Sequence, residues 1–574
     1  MTYKYAPAQS RSNRCDELSV CGSGLNCFLS THKPPAYSFS LFLSLQQPSL
    51  NHVLLSALLA QNHATMNALS HRLDPRWLTA TLSLFISLAV AYGASLTNTD
   101  GVLYLRAAGA YMQLGLSAAQ GLFDNPYYSV LIGAGAELTG LTPLYAAHLL
   151  NALTCAAIGW LIVDLGLLIG GSTMAGLCSG ALFLLHPQFN EYRNYIIRDF
   201  AFWACLLGFI DLQLRYYLTL NAKNLIAALL LLLVGGLFRI ESLLLMVLPL
   251  LALYPLRKHM SIVRQTLLIY SALVVVATII IGLITSGYFL EAKSITLPAI
   301  RFLSLGGEFQ QTLTGHADYF KGYLLHGYLE EYAMPAVVAG FITIVSLKAL
   351  KSFTLPYFMM ALLIGSHSSG FRLSNVRTAG VYSFFVYYAF ILIGFTLTTS
   401  IIQGRHVLPL TLVVLPVLGC YLENWLGLLQ TCEKKRKRQK LLAAIFTAYL
   451  FIDSFISFGS PKTHLPDSIN WLKTNAAHCS LMTNDTKIAY FSGLEVNWPA
   501  ITHTAYHRNT NSILSANSQL VAIEYHSRDQ QWLIQRSELS KKLITIAEFK
   551  SKKRGVIIFS RPNTSHCLTT TDAR

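Results

Sequence analysis

A chain of 574 residues with 53% hydrophobic side chains and only 12% charged ones carries more apolar surface than one soluble globule can bury. Its formal charge of +16 comes with that apolar bulk, so the excess of Lys and Arg reads as cytoplasmic loops held by the positive-inside rule, not as a nucleic-acid footprint. A soluble enzyme and a nucleic-acid-binding protein are thereby excluded, and a polytopic helical membrane protein is predicted.

The segment 1–65 has no clean span and no signal-peptide layout, because its apolar part is interrupted by Gln46, Gln47, Pro48, Asn51 and His52. It is expected to be either disordered or an over-extended start. From Met66 a basic flank with Arg72 and Arg76 leads into the first uninterrupted apolar run. Spans are predicted at about 77–95, 144–166, 171–186, 200–219, 222–238, 241–256, 264–285, 334–350, 381–402, 405–428 and 441–458, each near the roughly 20 residues that cross a hydrocarbon core. The stretch 354–369, with a proline and a polar tail, reads as a re-entrant or buried hairpin, and about 11 to 13 spans are expected in all. With Arg72 and Arg76 cytoplasmic, eleven crossings keep the polybasic loop Glu433–Lys440 in the cytoplasm, together with Arg257, Lys258, Arg264, Lys348, Lys351, Arg372 and Arg377.

That orientation puts three polar places on the outer face: the loop from Leu96 to Pro143, "HPQFNEYRNYIIRDF" from His186 to Phe200, and the loop from Ser286 to Pro335. In the first loop, Leu105, Gly109, Met112 and Leu116 follow Val102 at helical spacing, while Arg106, Ala110 and Gln113 fall on another face. An amphipathic helix lying in the interface is predicted, ending near Gly115. Asp100 opens it. As a plain structural group it would cap the helix. Tyr127 and Tyr128 read as interface anchors, with sugar stacking as the alternative.

The chain ends in a tail, 460–574, whose composition is that of a small soluble α/β domain outside the membrane. "DSINWLKTNA" and "RDQQWLIQRSELSKKL" read as helices; "SLMTND", "IAYF", "QLVAIEYH" and "GVIIFS" read as strands. Of the ten cysteines, Cys155, Cys178, Cys205 and Cys420 fall inside apolar runs, and no spacing forms a CxxC pair, so neither zinc nor a disulfide framework is expected.

Several short motifs stand in a suggestive order. Asp100 ends the first span and Tyr104 follows it; "DNPYYSVLIGAGAELTGLTPLYAAHLLNAL" places a P-x-Y element before the second span. Arg198-Asp199 then opens the next helix, "GGLFRIESLLLMVLP" holds Arg239 and Glu241, "QGRHVLPLTLVVLP" holds Arg405, and "TNDTKIAYFSGLEV" begins the tail domain. This series, spread over roughly Pro75 to Val496, resembles the GT-C superfamily of membrane glycosyltransferases. The branch is glycosyltransferase family 39 and its RgtA/B/C/D-like relatives, the protein O-mannosyltransferase-like and aminoarabinose-transferase-like enzymes. Two departures are visible: Asp100-Gly101 stands where members commonly carry Asp-Glu, and His406 where they carry Tyr.

The resemblance implies an all-α transmembrane bundle of GT-C type in the inner membrane of a bacterium. Its implied activity moves a sugar from a polyprenyl phosphate donor to an acceptor hydroxyl of a glycan, lipid or protein outside the cytoplasm. Asp100 is then the general base, a role worth about 10² to 10⁴-fold. Cations near the lipid phosphate would stabilise its growing charge, with Arg405 and Arg239 first and Arg198 and Arg301 behind them. Tyr104, Tyr127, Tyr128, Asp199 and Glu241 are possible substrate-binding residues, while Asp199 reads as a helix cap or a partner of Arg198 before it reads as a catalyst, and Arg239 as a partner of Glu241 or a side chain snorkelling to the headgroups. With no second carboxylate beside Asp100, no cofactor is expected and transfer is expected to be metal-independent, although some GT-C relatives use a divalent ion. The alternative functions are a transporter or flippase of lipid-linked saccharides, for which polar residues between spans would line a path, and a non-catalytic membrane scaffold.

Overall fold

A computed structural model describes residues 74–93, 96–285, 307, 310–325, 327–367, 373–431, 433–455, 463–498, 513–514, 517–527, 529–562 and 567–568. The reading of 1–65 as disordered or over-extended, and the candidate Arg301, lie outside them. The chain divides into two compact units, Met1–Met66 and Asn67–Arg574, and every described residue belongs to the second.

Helix α1, Pro75–Tyr92, starts where the sequence signals a start: Asp74 caps it by accepting from the Arg76 amide, and Pro75 fills the first helical position. The first loop folds into α2 (Thr99–Leu114), α3 (Leu116–Leu122) and α4 (Tyr127–Thr139). Gly115 and Gly140 end α2 and α4 with positive φ. The body of the bundle continues as α5 (Pro143–Gly170), α6 (Thr173–Leu184), the short α7 (Pro187–Tyr192), α8 (Asp199–Thr219) and α9 (Ala222–Phe238). After a broken helical segment, Glu241–Leu251, come α10 (Met260–Thr285), α11 (Ala333–His367), α12 (Asn375–Thr399), α13 (Gly404–Thr431) and α14 (Glu433–Phe455).

Helix α5 packs on α1, α6, α8 and α13, and α6 lies against α13, so these elements enclose the apolar core. Phe183, Phe189, Phe200, Phe202 and Trp203 are wholly buried in it. Four described helical stretches are long and apolar enough to cross a membrane: Pro143–Gly170, Leu329–Leu362, Asn375–Thr399 and Gly404–Gly427. Five shorter apolar helices, at Thr173–Leu184, Ala222–Phe238, Glu241–Leu251, Met260–Val276 and Ala444–Phe455, accompany them.

The stretch expected as a re-entrant hairpin is helical through His367, set off from the preceding helix by non-helical backbone at Thr354 (φ 52°, ψ 150°). Pro356 then falls in the first turn of the helix that restarts after Thr354, where its missing amide donor leaves no bond unmade. The broken half is seated by Tyr357, fully buried, whose hydroxyl donates to the Leu182 carbonyl at 2.6 Å.

The tail builds a five-stranded mixed sheet in the order β2-β1-β3-β5-β4 from β1 (Ser480–Thr483), β2 (Glu495–Val496), β3 (Leu520–His526), β4 (Ile544–Lys550) and β5 (Arg554–Ser560). Pairs β1–β2 and β1–β3 are parallel, with Leu481 opposite Leu520; β3–β5 and β4–β5 are antiparallel, with Ile523 opposite Ile557. Helices α15 (His464–Asn475), α16 (Thr486–Ser492) and α17 (Gln530–Ser540) accompany the sheet.

Two expectations for the tail fail. "IAYF" is helical, because Asp485 caps it by accepting from the Lys487 and Ile488 amides and Gly493 ends it with φ 72°. A disulfide is also present: Cys479 and Cys567 are bonded, with Cα atoms 5.3 Å apart. Their separation of 88 residues gave no local spacing to read.

Candidate functional site

Five charged side chains from four distant parts of the sequence meet at one end of the bundle. Asp100 Oδ2 accepts from Arg405 Nη1 at 2.5 Å, and the same Nη1 lies 3.9 Å from Asp199 Oδ2. Asp199 Oδ1 accepts in turn from Arg239 Nη1. Arg239 reaches Glu241 through Nη2 at 3.0 Å and through Nε at 3.4 Å. The result is an alternating chain of acid and base.

Exposure falls along that chain: 41% for the Asp100 side chain, 15% for Arg405 and 4% for Asp199. Solvent or a ligand therefore meets the Asp100–Arg405 end first. The two arginines also differ in what they have left to give. Arg239 has all three guanidinium nitrogens engaged with carboxylates, whereas Arg405 has a buried Nε with no acceptor among the described residues. A buried donor without a partner costs free energy until a ligand or water accepts from it.

Each member owes its place to local structure. Asn98, not Asp100, is the N-cap of α2, and its side chain accepts instead from the Ile196 amide at 2.9 Å, tying the first loop to the second. Asp100 thus sits within the first turn, where the helix dipole favours a carboxylate, and its side chain is left for Arg405. Gly101 sits close against its neighbours: a Cβ there would stand 2.5 Å from Thr97 Oγ1 and 2.9 Å from Asn98 Oδ1, so a larger side chain beside Asp100 would displace them. At the other end of the pair, a Cβ on Gly404 would collide with Gln188 Nε2 and stand 2.7 Å from the Tyr192 hydroxyl. The start of α13 thus approaches the Gln188 and Tyr192 side chains of α7 closely where Arg405 is presented.

Asp199 lies in the first turn of α8 and turns to Arg239 and Arg405, not to Arg198 as the sequence suggested. Arg198 stacks its guanidinium 5.2 Å from the Phe123 ring centre. Phe123 meets Tyr104 edge-on at 5.7 Å, and Tyr104 meets Tyr128 at 5.2 Å, so an aromatic wall stands behind Asp100. Tyr128 is no interface anchor: it is buried, and its hydroxyl donates to Asn151 Oδ1 at 2.6 Å. Tyr127, 38% exposed, stays at the surface.

The buried stripe of α2 also differs from its expected course. Val102, Tyr104, Leu105, Ala107 and Ala108 are buried, but Met112 and Leu116 are exposed, so only the half nearest Asp100 packs on the bundle.

Three groups at the site were not assigned a role from sequence. Asn151 joins Tyr128 to the Tyr195 carbonyl, and an amide inside an apolar span was a usable signal. Tyr388 donates to the His406 carbonyl at 3.0 Å, fixing the backbone beside Arg405; nothing marks it among the other tyrosines. Arg106 of α2 lays its guanidinium 3.6 Å from the centre of the Trp498 ring, which couples the interface helix to the tail domain. Among the described residues no group of three His, Cys, Asp or Glu stands close enough to hold a metal ion.

A second charge network lies toward the other end of α8, where α1 and α5 meet it. Arg76 pairs with Asp74 at 2.6 Å and Asp164 at 3.0 Å, and Arg215 pairs with Asp164 and with Asp211 at 2.7 Å. Along α8, Asp199 and Arg215 are separated by about 24 Å at 1.5 Å per residue.

No family model matches the chain, and no curated protein matches it. Among solved structures it is similar to ArnT from Cupriavidus metallidurans, in the apo state and bound to undecaprenyl phosphate. Each comparison gives 13% identity and a TM-score of 0.36, covering 84% of this chain and 97% of that one. A likeness at this level carries no function across.

Proposed function

We propose that this protein is a membrane glycosyltransferase that moves a sugar from a polyprenyl phosphate donor to an acceptor hydroxyl at the extracytoplasmic face. The observation that carries the reading is the Asp100–Arg405 pair, a carboxylate open to solvent bonded to a guanidinium with an uncommitted donor. Asp100 takes the proton of the attacking hydroxyl as the new glycosidic bond forms at the anomeric carbon. The bond to the donor phosphate breaks, and Arg405, with Arg198 nearby, meets the charge that grows on the departing lipid phosphate. Arg239 acts behind them, holding Asp199 and Glu241 so that Arg405 is set between two carboxylates. No metal enters this scheme.

The sidedness has two supports. A disulfide persists in oxidising compartments, which favours a place outside the cytoplasm for the Cys479–Cys567 domain. The Arg106–Trp498 stack ties α2, and with it Asp100, to that domain. The Arg76–Asp164–Arg215 network then falls at the cytoplasmic ends of the helices, and the count of 11 to 13 crossings stays part of this proposal.

The purified protein, given radiolabelled polyprenyl phosphate sugar and acceptor, is expected to release polyprenyl phosphate and label the acceptor. Movement of intact donor across a sealed vesicle with no acceptor labelling would instead establish the flippase.

A further inference from the structure

A depression of about 190 Å³ opens in the tail domain between the β4–β5 hairpin and α17, lined by Tyr525, Ser527, Trp532, Arg536, Lys550 and Arg554 among others. Its surroundings are strongly basic. The hairpin turn reads Lys550-Ser551-Lys552-Lys553-Arg554, and with Arg536 it sets five cations against two carboxylates, Glu548 and Glu524. Neither carboxylate lines the depression.

Those acids stand behind the cations and orient them. Glu548 accepts from Arg536 Nη1 and Nη2 at 3.1 and 3.2 Å, from Lys550 Nζ at 3.1 Å and from the Tyr525 hydroxyl at 2.7 Å. Burial opposes its charge, but the hydrogen bonds from Tyr525 and Lys550 and the charge of Arg536 together hold its carboxyl below the usual range. Arg554 Nη1 donates to Glu524 at 3.2 Å. A guanidinium carries five N–H donors and an ammonium three, so each cation keeps donors beyond the one or two these bonds use.

The floor is aromatic. Tyr525 and Trp532 stack with ring centres 5.0 Å apart and planes 11° from parallel. Trp532 is only 5% exposed, and its buried indole Nε1–H has no acceptor among the described residues. Charged donors and an aromatic face around one small depression describe a partner with a negative group, hydroxyl acceptors and a flat ring edge. The space is smaller than pockets that bury a whole drug-sized ligand, so it suits one sugar residue.

We propose that this depression binds a phosphorylated sugar residue, at a site separate from the Asp100–Arg405 pair. Basic residues on a flat face would suit an anionic membrane surface; the concavity favours a discrete ligand. The proposal does not depend on the transfer reading, since binding alone tests it.

The probes are glucose 6-phosphate, glucose and inorganic phosphate, titrated into the full chain in detergent by calorimetry and tryptophan fluorescence. Glucose 6-phosphate is expected to bind more tightly than either of the others and to perturb fluorescence. The double substitution Lys550→Gln and Arg554→Gln should weaken it by about tenfold or more. Trp532→Phe, which shrinks the aromatic face beside the depression, should abolish the fluorescence change and weaken binding while circular dichroism stays unchanged. Glucose or inorganic phosphate binding as tightly as the sugar phosphate would overturn the proposal, as would full affinity in the substituted proteins. So would a basic patch whose loss reduces only the attachment of vesicles containing phosphatidylglycerol.

Discussion

Asp100 and Asp485 show how position decides what an aspartate does. Both stand at the start of a helix, but Asn98 takes the capping position ahead of Asp100 and frees its carboxylate for Arg405. Asp485 is a true cap, accepting from two amides. Burial and the neighbouring charge of Glu524 raise its pKa above 3.8, against the pull of those backbone bonds. A carboxyl whose folded value is raised contributes stability that is complete below the unfolded pKa and is lost as pH rises through the folded one. Asp485→Asn keeps the acceptor for both amides and removes that loss. The variant is expected to melt above the wild type at about pH 7, with the gap closing toward about pH 4. A gap that widens on acidification would contradict the direction of the shift.

At the scale of elements, what was legible followed from pattern. Helix α1 was announced by a basic flank and an uninterrupted apolar run, and β3 and β5 by their runs of β-branched and aromatic residues; these are local signals and the fold keeps them. The failures are of two kinds. "IAYF" has a strand's composition, and only Asp485 before it and Gly493 after it mark a helix, so two caps overrode side-chain preference. The disulfide, the split stripe of α2 and the partners of Asp199 are set by contacts remote in sequence, for which no spacing exists. The site was legible as a set of residues: Asp100, Tyr104, Tyr128, Asp199, Arg239, Glu241 and Arg405 do come together. Their wiring was not, because which arginine faces which carboxylate depends on how α2, α8, α9 and α13 pack.

The disulfide gives this scale its test. It closes a long loop from the start of β1 to the end of the chain, and removing a native bond from a small secreted domain typically costs about 2 to 5 kcal/mol. Cys567→Ala is expected to lower the unfolding midpoint of the tail domain, and reductant should lower the wild type to match. A midpoint unmoved by both would show that the bond adds nothing to stability.

Across the whole molecule, two ionic networks stand about 24 Å apart along α8, somewhat less than a hydrocarbon thickness of about 30 Å, with apolar helix between them. Charges in such surroundings need partners, and both networks alternate sign so that each of their arginines faces a carboxylate. The networks differ in use. Arg76 and Arg215 are each held between two carboxylates, Asp74 and Asp164 for the one and Asp164 and Asp211 for the other, which suits a brace at the helix ends. The Asp100 network ends in an open carboxylate and a guanidinium with a donor to spare, set beside an aromatic wall and under a folded domain.

The claim that chemistry happens at that open end is tested most directly by single-turnover release of polyprenyl phosphate from labelled donor, comparing the wild type with Asp100→Asn. The substitution is nearly isosteric at a partly exposed position, so the protein is expected to fold and to bind donor as before. Release is expected to slow by about 10² to 10⁴-fold. Release at the wild-type rate would contradict the account.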